Sequence, residues 1–192
     1  LSDSPMLDEV LDCLASLQVA DPRHRYLCTL DDVGQCRYTS MHASDDERIA
    51  LYEDEDPATP EDALAARERL LAHVVAQLEH STHRLQWTAL AGTLMCSDED
   101  IEALVAANAK PDLIIDDVVC VQQVPVTRDD LLIAALPNGY FSADWDLFQN
   151  HALIRHLQER YDYRLFGLGA SWLGFQRDRA PSPAEASALV AD

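Results

Sequence analysis

The sequence predicts an α+β fold in which a mixed or antiparallel sheet packs against several amphipathic helices. Three observations carry this expectation. Helical stretches open on explicit capping signals: Thr59-Pro60, Ser97 with Asp100, and Ser182-Pro183 with Glu185. The run "DLIIDDVVCVQQVPV" is β-branched and reads as one long or two short strands. "YRLFGLG" and "SWLGFQR" then read as a β-pair joined near Gly169.

The elements follow in order. "MLDEVLDCLASL" spaces Met6, Leu7, Val10, Leu11, Leu14 and Leu17 as one helical face, and Asp21-Pro22 ends it. "RYLCTL" and "CRYTSM" read as two short strands around a "DDVGQ" turn. "SDDER" and "YEDEDPATPED" read as an exposed acidic connection. The helix after Thr59 should run to about His80, with acids near its start and a histidine near its end to suit the dipole. "HRLQWTALAGTLM" fits a strand or a buried helix. "DEDIEALVAANA" is a capped helix ended by Lys110-Pro111. Thr127 with Asp130 can cap the short helix "RDDLLIAAL", and Pro137-Asn138-Gly139 forces a turn. A helix from about Asp146 to Tyr161 precedes the β-pair, and "PAEASALVAD" closes the chain. These elements divide into a helical/α+β region over 1–120 and an α+β region over 121–192, which can together form one compact domain.

Charge is the strongest global signal. There are 34 acidic and 14 basic residues, a formal charge of -20 with histidine neutral. That field repels phosphate backbones and anionic bilayers, so direct nucleic-acid binding is not expected, nor is a membrane partner. A basic protein partner is accommodated more readily. No stretch has the roughly 20 apolar residues of a membrane span. Five cysteines with no CxxC read as reduced thiols of a cytoplasmic protein.

The segment "YFSADWDLFQNHALIRHLQERYDYRLFGLGASWLGF" concentrates the candidate chemistry. On a helix, Leu147, Leu153, Ile154, Leu157 and Tyr161 share an arc of about 120° that should be buried. His151 and His156 project about 140° apart, a poor pair for one metal ion, and His156 is expected in solvent. Asp144 and Asp146 suit the helix start as capping acids. Asn150 projects into the apolar arc, where it either bonds the "PNGY" turn or orients a ligand. Asp144, Trp145, Asn150 and His151 are therefore the candidate ligand-pocket residues. The glycines of "LFGLGASWLGF" follow a strand with no helix behind them, which suits a turn and not a phosphate loop. His80, His83 and Cys96 have no standard zinc spacing. No catalytic residue, metal site or cofactor is assigned.

"VPVTRDDLLIAALPNGYFSADWD" followed by "HALIRHLQERYDYRLFGLGASWLGFQRDRAPSPAEASALVAD" resembles the bacterial DUF4253 domain family. The likeness lies in the order of a "VPV" strand, a P-x-G turn, a helix ending in "ERY", a strand pair and a proline-led helix containing "EA". It implies a compact bacterial α+β domain that continues beyond residue 192, and it implies no catalytic residues. Two functional readings stay open. One is a non-enzymatic acidic binding domain, of the inhibitor or immunity-protein kind, for a basic partner. The other is an enzyme or small-ligand domain with a pocket near the Pro137–Gly139 turn and the Asp146–Tyr161 helix.

Overall fold

A computed structural model describes residues 4–51, 57–90, 92–94, 96–139 and 144–192. The "YEDED" part of the acidic connection, Ala91 and Met95, and "YFSA" at 140–143 lie outside them. The architecture is α+β. Four strands, β1 (Arg25–Thr29), β2 (Val121–Val124), β3 (Arg164–Leu168) and β4 (Leu173–Gln176), form one sheet in the order β2-β1-β3-β4. β1 pairs antiparallel with β2 and parallel with β3, and β3 pairs antiparallel with β4. The sheet is therefore mixed, and it draws strands from both sides of the 120/121 boundary.

The helices are α1 (Leu7–Ala20), α2 (Val33–Ala43), α3 (Pro60–Glu79), α4 (Asp98–Ala109), α5 (Leu147–Tyr161) and α6 (Pro183–Ala191). Four of the starts repeat one local device. Thr59, Ser97, Asp146 and Ser182 each accept a bond from the backbone three residues on, and that residue's side chain bonds back. Among the described residues no helix is long and apolar enough to cross a membrane.

Each face of the sheet buries its own core. Cys28 and Leu30 meet Val10 and Leu14 of α1, together with Phe166. On the other side Leu27, Val124, Leu165 and Leu168 pack with α3, α5 and the 3-10 helix Asp129–Ala135. Leu165 and Leu168 are three apart, an odd spacing that would put them on opposite faces of a regular strand. The register explains their agreement. Leu165 pairs with Phe175 and Gly167 with Gly174, so Phe166 is one extra residue in β3, a β-bulge.

Three expectations are corrected. "CRYTSM" is not a strand but lies within α2, because Asp32 caps a helix there and accepts from the Gln35 amide. Of the β-branched run, only Val121–Val124 pairs; Pro111–Ile114 is a 3-10 helix, and the acids between serve loops. Asp112 Oδ1 accepts from the Leu7 amide, which ties that segment to α1 instead of the sheet. "RDDLLIAAL" forms a 3-10 helix, and no side chain caps it. The ambiguous "HRLQWTALAGTLM" holds one short 3-10 turn, Trp87–Ala89, among its described residues.

Candidate functional site

Three of the four sequence candidates, Asp144, Trp145 and Asn150, lie at the entry to α5, and they share no cleft. Gly139 sits at φ +98°, where glycine alone is unstrained. Its backbone presses on Trp145, since a Cβ there would lie 1.9 Å from the Trp145 carbonyl oxygen. That same carbonyl accepts from Asn150 Nδ2 at 2.9 Å. Asn150 thus bonds Trp145, behind the turn, and the turn itself is pinned by Asn138, whose Nδ2 donates to the Gly169 carbonyl at 2.8 Å. Trp145 is buried; its Nε1 donates to Thr93 Oγ1 at 2.9 Å and its ring meets Trp87 edge-on. Asp144 is exposed. Asp146 caps α5 and accepts from Arg48 at 2.8 Å, and Arg48 also grips Asp46 and lies 4.1 Å over the Phe148 ring.

His151 leaves this group altogether. Its side chain is 4% exposed, and Nε2 donates to Asp130 Oδ2 at 3.0 Å. Asp130 also receives a two-pronged contact from Arg128, at 2.9 and 3.0 Å, and Arg128 reaches Glu79 at 2.8 Å. Burial alone would raise the Asp130 carboxyl, but the hydrogen bonds from His151 and Arg128 outweigh it and hold the group well below the usual carboxylate range. Sequence reasoning treated Asp130 as a capping acid and missed this network. The available signal was an acid at the head of the apolar run "LLIAAL". With both side chains buried, the contact is a hydrogen-bonded clasp between α5 and the 3-10 helix.

His156 was expected in solvent and is half-buried instead. Its ring stacks on Trp87 at 4.9 Å, and Nε2 lies 2.6 Å from Asp192 Oδ2. The aromatic neighbour reaches it from a distant part of the chain, which helical projection could not show. His80 and His83 stand 5.4 Å apart ring to ring, and no group of three His, Cys, Asp or Glu fit to hold a metal occurs among the described residues.

A second acid, the half-buried Asp31, organises the ends of the parallel strands. Asp31 Oδ1 accepts from the Ala170 amide at 2.8 Å and from Cys36 Sγ at 3.2 Å. A Cβ on Gly169 would fall 2.4 Å from that oxygen, so a side chain there would push the Asp31 carboxylate off its place. Burial, reinforced by the Asp31 carboxylate, pushes the Cys36 thiol up to about 12, and burial does the same for Cys28. None of the five cysteines forms a disulfide, and Cys96 is exposed. Iodoacetamide at pH 8 should therefore alkylate Cys96 first and reach Cys28 and Cys36 only after unfolding. Equal labelling of all five in the native protein would refute that order.

Among the clefts of the described surface are two on opposite parts of the sheet's surroundings. The larger, about 930 Å³, lies between α2, α3 and the β1–β2 side of the sheet; the smaller, about 450 Å³, lies between the end of α5 and the edge strand β4. None of Asp144, Trp145, Asn150 and His151 lines either cleft. No family model, curated protein or solved structure matches the chain.

Proposed function

We propose that this is a non-enzymatic acidic domain that docks a basic protein partner through α4. One observation carries the reading. Of α4, only Ala107 is buried. Ile101, Leu104 and Val105 stand at i, i+3 and i+4, one stripe along the helix. With Leu113 and Val118 they are between 51% and 70% exposed. Large apolar side chains gathered in this way are costly to leave in water and mark interaction surfaces. Their rim is acidic: Asp98, Glu99 and Asp100 fill the first turn of α4, and Glu102 follows.

The rim decides the occupant. A second copy of the chain would bring its own charge of -20 against the same acids. A partner with an apolar groove bordered by Lys and Arg would cover the stripe and be steered to it by the field. The resemblance to DUF4253 is kept as part of this proposal and adds no reaction to it.

The test uses the full chain carrying a photo-cross-linking residue at Val105 or, as a control, at the exposed Val19. A basic protein captured from the source-cell extract through position 105, but not through position 19, is expected. The Leu104→Ser, Val105→Ser double variant should weaken its binding at least about tenfold, in keeping with the loss of two central apolar contacts. Both side chains are exposed, so folding should be unaffected. The absence of any partner at low and moderate salt, or a partner that ignores both substitutions, would overturn the reading.

A further inference from the structure

We propose that the groove between α2 and α3 binds a long-chain carboxylate, with Arg37 and Arg67 holding the acid group and the acyl chain lying along α3. The groove is independent of the α4 surface, and the two proposals can fail separately. Its volume, about 930 Å³, lies within the range of small-molecule sites. Leu27 of β1 and Leu71 and Val74 of α3 line it, and towards the mouth Leu64 of α3 and Met41 of α2 remain exposed. Among the described residues, an apolar trough is thus left open along two helices.

The charge around that trough runs against the rest of the molecule. The whole chain has 34 acids and 14 bases, whereas Glu68 is the one acid among the described lining residues and Arg37 and Arg67 both belong to it. Several other arginines are claimed by carboxylates: Arg25 by Asp129, Arg48 by Asp46 and Asp146, Arg128 by Glu79 and Asp130, Arg177 by Glu185. Arg37 and Arg67 are exposed and have no hydrogen-bond or ion-pair partner among the described residues. Two unclaimed guanidinium groups beside an apolar trough suit a ligand with one planar anionic end and a long apolar body. A dianionic phosphate head would fare worse, because the surrounding field of a -20 protein penalises each added negative charge.

Isothermal titration of the full chain with octanoate, decanoate and dodecanoate, each below its micellar concentration, tests the proposal. Saturable binding at one site is expected, tightening up to about fourfold for each methylene as the chain is removed from water. 1-Dodecanol should bind at least tenfold more weakly than dodecanoate, and so should dodecanoate to the Arg37→Ala, Arg67→Ala variant. Met41→Glu, which places a carboxylate one helical turn from Arg37, should produce the same loss without removing either arginine. Equal binding of alcohol and acid, indifference to the arginine pair, or no saturable binding would each overturn the proposal. Preferential binding to phosphatidylglycerol vesicles over dodecanoate would overturn it in favour of a lipid surface.

Discussion

Replacing Asp130 with alanine is expected to destabilise the fold by about 3–5 kcal/mol, the usual cost of removing one partner from a buried ionic group. The substitution strands the His151 N–H under a packed helix and releases Arg128 from its two-pronged contact. For a domain of this size the midpoint of thermal unfolding should fall by about 10 °C. Asp130→Asn keeps the shape and loses the charge, and should cost about half as much. Acid titration separates the electrostatic share. The Asp130 carboxyl is held below its ordinary 3.8 in the folded protein, so its contribution is fully present above the unfolded value and is lost as pH falls through the folded one. The stability gap between wild type and Asp130→Asn should therefore be widest near neutrality, begin to narrow near the unfolded value of 3.8, and close only as pH falls well below it. A gap that stays constant from pH 7 to pH 3 would show that packing, not charge, holds the clasp.

Gly139→Ala is expected to cost about 2–4 kcal/mol, measured by urea unfolding. Two effects add at this position. The backbone is at φ +98°, and the new methyl would have to occupy the space of the Trp145 carbonyl oxygen. Gly92→Ala supplies the control, since Gly92 is at φ +76° with nothing near its missing Cβ. It should show the conformational cost alone, about 1 kcal/mol. Similar losses at both glycines would mean that the turn does not press on the start of α5. Because the Trp145 carbonyl also receives Asn150, a displaced turn should disturb the capping of α5 by Asp146.

What the sequence showed and what it hid divide along the range of the interaction involved. Thr59 with Asp62, Ser97 with Asp100 and Ser182 with Glu185 were legible because each cap spans three residues. The β-pair Arg164–Leu168 and Leu173–Gln176 was legible because its turn is local. α2 was misread because its aromatic and β-branched residues suggested a strand, while Asp32 was taken for part of a turn when it is a cap. The candidate segment was legible as an element and not as a site. His151 meets Asp130 from 21 residues away and His156 meets Asp192 from 36, contacts that depend on the assembled sheet and its flanking helices. Asn150 was found as an unusual polar residue in an apolar arc, but its acceptor, a backbone carbonyl, leaves no mark in the amino-acid code.

The bulge in β3 has a consequence for how the two cores can change. Gly167 follows Phe166 and offers no side chain of its own to the α1 side. If Phe166 were absent, Leu165 and Leu168 would stand two apart and still serve the core of α3 and α5. The α1 side would lose the only ring that β3 gives it. The extra residue therefore uncouples the two halves of the protein: the filling beneath α1 can be altered at position 166 without moving the register that seats α5.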